Sequence, residues 1–294
     1  PRMNDGMPAT QQNNLLAIFF MVLTGACMVA VMVNLRYLDE SLPSVQVAFI
    51  RYLFGLAIIF PFAAQELKLR NLKIPIIKHG IRGTLHGFGV VLWFYSVSQI
   101  TLSQVTAISY LTPIFTTIGA IIVFKERLTK QRFLAILTAI IGAILILRPG
   151  LEVISVGKSA QLFSTLLLAA SYLITKNLTK TEGTFLIVFM LNLFATLTLL
   201  PFALLIWISP SVIDLGLLLT IAILASFGHY FVTKAVALAP LSVTQPVIFL
   251  QLIWSTLIGL LIFGEPIDLL IIIGGGFIVL AITQITYSEK QTKG

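Results

Sequence analysis

Charge is what this chain has least of. Only 10% of its 294 residues are Asp, Glu, Lys or Arg, while 58% are hydrophobic. So few charges cannot cover the surface of a water-soluble domain of this length. Cys27 is the single cysteine, which excludes an intrachain disulfide and leaves it as a small core residue. Acidic residues are missing from the middle of every apolar stretch. A polytopic membrane enzyme would need paired acidic metal ligands, or a nucleophile beside a base, facing the bilayer. Neither occurs, since His86, Cys27 and Glu126 form no plausible constellation, so no catalytic residue, metal or cofactor is expected. Gly274-Gly275-Gly276 lies inside an apolar run and favours close helix packing over phosphate binding. Rings of charge and filter-like loops, which a channel would need, are absent as well.

What the chain does have is apolar length. A bilayer core about 30 Å thick takes roughly 20 apolar residues per helix, and ten such stretches follow one another from Asn14–Leu35 to Ile267–Tyr287. The first runs on as a full span without a small-residue cleavage site, so no removable signal is expected. The net charge of +8 does not point to nucleic acid, because the basic residues follow the loops. Loops on one side carry thirteen Lys and Arg, Arg82 and Lys176 among them, against Arg36, Arg148 and Lys158 on the other. That asymmetry puts both termini in the cytoplasm. Arg51 and Lys234 remain within spans.

The chain repeats itself. Leu102 to Glu126 reappears at Leu241 to Glu265, shifted by 139 positions, with Leu111/Leu250, Ile114/Ile253, Thr117/Thr256, Phe124/Phe263 and Glu126/Glu265 in register. Upstream the shift becomes 140, where Pro61-Phe62-Ala63 meets Pro201-Phe202-Ala203. The fold expected is an all-α membrane bundle of two five-helix halves, residues 3–150 and 151–294. Five is odd, so the second half starts on the opposite side of the bilayer and is inverted. Inverted repeats related by an axis in the membrane plane are the architecture of many secondary transporters, with the solute site near the midplane.

Several side chains are candidates for that site. A charge at the bilayer centre costs roughly 2.5–3.5 kcal/mol on insertion scales, so Arg51 and Lys234 need a cavity, a partner or an interface to which they can snorkel. Facing a cavity, either would take an anionic group such as a carboxylate. His229 and Tyr230, one turn away, favour Lys234; Lys234→Gln should then weaken transport while the protein still inserts. The fourth span presents Thr106, Tyr110, Pro113 and Thr117 on one face, and the ninth presents Gln245, Phe249, Leu252 and Thr256 at the same spacing. Tyr110, Gln245 and Phe249 are candidates to line the solute path, the alternative being ordinary helix packing. His86, Val90 and Trp93 form a stripe on the third span, and Gln251 and Trp254 lie on the ninth. Aromatic walls with a few polar tips suit a flat or heterocyclic solute, although Trp93 also fits an interfacial belt. His86 and His229 could titrate near neutral pH. Glu126 and Glu265, at the ends of matched spans on opposite faces, read as structural or gating residues. With no buried carboxylate to relay protons, facilitated movement, exchange or coupling through histidine is expected.

The residues resemble the drug/metabolite transporter superfamily in its ten-helix, EamA-type branch. The resemblance is carried by Phe49-Ile50-Arg51-Tyr52, by Leu92-Trp93-Phe94-Tyr95 with Pro113, by Phe124-Lys125-Glu126-Arg127-Leu128, by Lys234-Ala235 and by Leu257 to Glu265. It implies a pseudo-symmetric bundle with a cavity lined by spans one, three, four, six, eight and nine, and transport of a small organic solute. Members that look like this carry amino acids, vitamins, nucleotide-sugars, S-adenosylmethionine and drugs. An S-adenosylmethionine or vitamin carrier is therefore an open alternative to an amino-acid-like solute. A homodimer is compatible with the pattern. The second half departs from it at Leu252, which occupies the slot of Pro113.

Overall fold

The computed structural model describes residues 9–69, 74–125, 128–148, 154–178, 181–238, 247 and 249–291. Among them are eleven helices and no strands. They are α1 (Ala9–Arg36), α2 (Ser44–Leu69), α3 (Ile76–Gln99), α4 (Leu102–Ser109), α5 (Leu111–Phe124), α6 (Lys130–Leu147), α7 (Val156–Leu178), α8 (Thr184–Leu205), α9 (Val212–Leu238), α10 (Phe249–Phe263) and α11 (Leu269–Gln291). Each of the ten expected spans has its helix, the fourth being split into α4 and α5.

The split has a local cause. Pro113 has no N–H to give the carbonyl of Ser109, four residues back, and its ring crowds that carbonyl. Accordingly α4 ends at Ser109 and α5 begins at Leu111. The start of α4 is fixed by a capping box, in which the Thr101 hydroxyl accepts from the N–H of Gln104 and the Gln104 side chain accepts from the N–H of Thr101. In the second half α10 begins at Phe249, the register partner of Tyr110.

Six helical spans among the described residues are long and apolar enough to cross a bilayer by composition alone. α10 and α11 add shorter apolar helices. α3 and α7 are not among the six, because Lys78, Arg82, His79 and His86 interrupt one and Lys158 and Lys176 the other. Their neighbours compensate for this, since α3 is packed against α7 and α8 along its length.

The contacts obey a two-fold rule. With the helices of each half numbered one to five, α1 packs on α9 and α3 on α7, which are the pairs one with three and three with one. α2 packs on α8, α4 on α10 and α6 on α11, each number meeting itself. Exchanging the halves leaves this scheme unchanged. The same symmetry reaches single residues, for Lys125 and Gly264, 139 positions apart, both end their helices with left-handed backbone at φ 53° and 64°. Glycine adopts that conformation without strain; lysine carries it in the first half.

Ion pairs among the described residues tie helix ends together. Arg148, at the end of α6, donates to Asp268, whose other oxygen accepts from the N–H of Leu270 (3.0 Å) at the start of α11. Although partial burial opposes ionisation, the Arg148 guanidinium and the Leu270 N–H hold the Asp268 carboxyl below its ordinary value. A lowered carboxylate pKa contributes stability above its unfolded value and loses it as the pH falls through the folded one. Thermal unfolding in detergent should show this contribution constant above about pH 4 and declining below it, with Asp268→Asn flattening the decline.

Candidate solute-binding site

Polar side chains gather where α2, α3, α7, α8 and α9 meet. On α3, His79, Arg82, His86, Val90 and Trp93 follow at steps of three and four and share one face. The stripe expected from His86, Val90 and Trp93 therefore extends through two more basic residues. Arg82, counted above with the loop cations, is instead buried, and its Nη1 donates to the carbonyl of Ile187 on α8 at 2.7 Å. Loop counting missed it because it stands only six residues inside the helix.

The expectation that buried carboxylates are missing is corrected here. Glu182, in the turn between α7 and α8, folds inward, and one carboxylate oxygen meets His79 Nε2 at 2.7 Å. Both side chains are almost fully buried, at 3% and 0% exposure. A carboxylate that sequence position assigns to a loop is thus part of the interior.

From Arg82 the network runs towards the middle of the bundle. His86 Nδ1 lies 3.3 Å from Ser171 Oγ on α7. Its ring meets Tyr52 of α2 edge-on at 6.3 Å, and the Arg51 guanidinium covers the Tyr52 ring at 4.4 Å. His229 of α9 lies near enough to interact with His86, Arg51 and Arg82. Tyr172 of α7 is within electrostatic reach of Arg82 and Tyr52. Beside this network Tyr172 keeps 47% of its surface and His229 is half-buried.

Four buried polar atoms here have no protein partner: Tyr52 Oη, Arg82 Nε, His79 Nδ1 and Glu182 Oε1. Each such atom costs about 1–3 kcal/mol, so the folded chain carries an uncompensated polar centre.

Of the ten side chains expected to meet the solute, the structure brings Arg51, His86 and His229 into this centre. Gln251 and Trp254 of α10 pack against α1, where they are the near neighbours of Gly25, at 3.5 and 3.7 Å from the position of an added Cβ. Trp93 is half-buried with its ring 5.4 Å from that of Phe94, and Phe249 is half-buried beside Gly276. Tyr110 is buried in the α4–α10 interface, where its hydroxyl reaches the backbone of Leu252; it ties the broken span to its counterpart. Lys234 is exposed over the Tyr230 ring at 5.6 Å. It continues a stripe of exposed Ile223, Phe227 and Tyr230 at helical spacing. Five residues turn a helix by about 140°, so Lys234 and His229 point away from each other. Gln245 and Glu126 lie outside the described residues. Tyr52, Arg82, Ser171 and Tyr172 were not anticipated; for Arg82, the signal available was its helical register with His86, four residues on.

At one end of the bundle an ion pair joins helices of both halves. Arg36, the last residue of α1, donates to the carbonyls of Val97 and Ile100 (2.5 Å for Ile100) and to Glu265 Oε1 at 2.8 Å. The other Glu265 oxygen accepts from the N–H of Leu102 at 2.9 Å. The ends of α1, α3 and α10 and the start of α4 are thereby clamped together. An open hollow of about 320 Å³ lies against the clamp, with Gln104, Ser155 and Lys158 in its wall.

An all-helical bundle of two inverted halves with a polar centre is the architecture of a membrane transporter. The model of the EamA-like transporter family matches residues 15–148 and again 157–287, so the chain belongs to that family, as two copies of its repeat. It is 28% identical over 257 residues to an S-adenosylmethionine uptake transporter of Rickettsia prowazekii, covering 87% of each chain. A pseudopaline exporter of Pseudomonas aeruginosa is 24% identical over 86% of this chain and 89% of its own. A riboflavin transporter of Vibrio cholerae is 28% identical over 85% of both. One crystal structure shares the fold, with a TM-score of 0.60 at 16% identity over 93% of this chain and 96% of its own. The chain is thus a small-molecule membrane transporter and not an enzyme.

Proposed function

We propose that this is a secondary carrier of a bacterial inner membrane, moving a small amino-acid-like solute, zwitterionic or anionic with an aromatic or heterocyclic part, by alternating access between residues 3–150 and 151–294. The observation that carries this reading is the Arg36–Glu265 clamp, which joins helix ends of both halves beside a hollow. With both termini cytoplasmic, as the loop charges suggest, the clamp is at the external end and the conformation is closed to the outside. Apolar side chains such as Ile122, Leu205 and Leu261 are exposed on the bundle and would meet lipid.

S-adenosylmethionine fits this description as an amino acid joined to adenine, and the Rickettsia relative supports it as the first solute to try. Riboflavin offers a heterocycle without a carboxylate, so the two relatives pull in different directions. The test is counterflow in proteoliposomes over a panel of amino acids, nucleosides, vitamins and S-adenosylmethionine. Saturable exchange of one class is expected. Flux that rises linearly with concentration for every compound would indicate a pore and end the carrier reading. Lys234→Gln serves as a control expected to change that exchange less than about twofold, because its charge belongs to the exposed stripe.

A further inference from the structure

We infer that Arg82 and Arg51, together with the Tyr52 hydroxyl, form the pocket that receives the anionic group, carboxylate or phosphate, of the transported solute. This rests on the carrier reading and adds the place and chemistry of its recognition.

The charges require it. In the polar centre the described residues bring together two guanidinium groups, Arg51 and Arg82, against one carboxylate, Glu182. That carboxylate is already engaged by His79 at 2.7 Å. One positive charge is therefore left over among buried helices, where an uncompensated ion is disfavoured. Arg82 spends Nη1 on the Ile187 carbonyl and keeps Nε without a protein partner at 5% exposure. Arg51 is held over the Tyr52 ring, which leaves its donor edge uncommitted by that contact. The Tyr52 hydroxyl, 0% exposed, has no partner either.

These are donors in excess of acceptors. A guanidinium offers only N–H groups and a phenol offers one O–H, and the group that satisfies several of them together is an oxyanion, for which the guanidinium fork is shaped. The accessible surface nearest to these donors belongs to Tyr172 on α7 and His229 on α9. Lys234, the other cation within a span, stands on an exposed stripe away from this centre and takes no part.

The test offers matched pairs of solutes to the full-length protein in proteoliposomes: histidine and histamine, S-adenosylmethionine and its decarboxylated amine, adenosine monophosphate and adenosine. In at least one pair the acidic member should be exchanged tenfold or more faster than its partner, and which pair responds separates carboxylate from phosphate. Tyr52→Phe should raise KM for that member at least fivefold while leaving the thermal unfolding midpoint unchanged or higher, since the hydroxyl has no protein contact to lose. Arg82→Gln should abolish the preference, and Arg82→Lys should restore part of it. Equal exchange within every pair, or Tyr52→Phe with an unaltered KM, overturns the anion pocket and leaves the carrier reading standing. Absence of saturable counterflow for every compound overturns both.

Discussion

Glu265→Ala is expected to open the clamped end and to cut solute exchange at least tenfold. The carboxylate is shared by Arg36 at 2.8 Å and the Leu102 N–H at 2.9 Å, and the two ionic side chains are only 19% and 11% exposed. Removing one partner of a largely buried pair leaves the other charge uncompensated, at a cost of about 3 kcal/mol. That corresponds to a shift of roughly a hundredfold in any equilibrium the clamp controls. The guanidinium would keep its contacts to the Val97 and Ile100 carbonyls, so α1 and α3 should stay joined while α10 and the start of α4 come free. Exchanging the two residues should not rescue function, because a carboxylate at position 36 would face those carbonyls. A thiol introduced as Ser103→Cys, now 3% exposed, should react with an impermeant maleimide at least tenfold faster in the Glu265→Ala background. Unchanged labelling would show that the clamp does not hold this end shut. Gly259→Ala should act in the same direction, since an added methyl would come within 2.3 Å of the Glu265 carboxylate.

Gly142→Leu should prevent the fifth helices of the two halves from meeting. A Cβ at Gly142 would lie 2.5 Å from the carbonyl oxygen of Gly274 and 2.7 Å from Ile278, and one at Gly274 would lie 2.7 Å from the carbonyl oxygen of Gly142. The two carbonyl oxygens are backbone obstacles that cannot yield as a flexible chain end would, so α6 and α11 must separate. Overpacking of this kind costs about 1–3 kcal/mol for small groups and more for a leucine, and in lipid the lost close packing has no hydrophobic effect to replace it. The expected result is loss of the monodisperse peak in size-exclusion chromatography after mild heating. Gly216→Ala is the contrast, with nothing within 4 Å of its added methyl; relief of glycine entropy should leave it as stable or slightly more so. If both variants behave alike, the α6–α11 crossing is not what holds the ends of the repeats together.

The ten spans and the duplication were legible because both are written in local pattern, an apolar run about as long as the bilayer is thick and scarce residues such as Glu and Pro kept in register. The α4–α5 break followed from Pro113 alone. The polar centre was legible only in part. Arg51, His86 and His229 stood out as charges or imidazoles in apolar sequence, but Arg82 stands near a helix start, where composition cannot distinguish a loop cation from a buried one. Glu182 and His79 are 103 positions apart, and nothing in either neighbourhood announces the other. Lys234 attracted attention for its charge, yet the helix turns it onto the stripe of Ile223, Phe227 and Tyr230. Which way a residue faces is decided by packing partners that periodicity cannot name when a helix is apolar on every side.

The pairing of α1 with α9, α3 with α7, and α2, α4 and α6 with their own counterparts means that every helix of one half leans on a helix of the other. In the proposed carrier a tilt of one half would therefore drag the other with it, much as meshed gears cannot turn singly. Widening the mouth on one side would then narrow it on the opposite side, and the interlocked helices would deny ions a continuous passage without any dedicated plug.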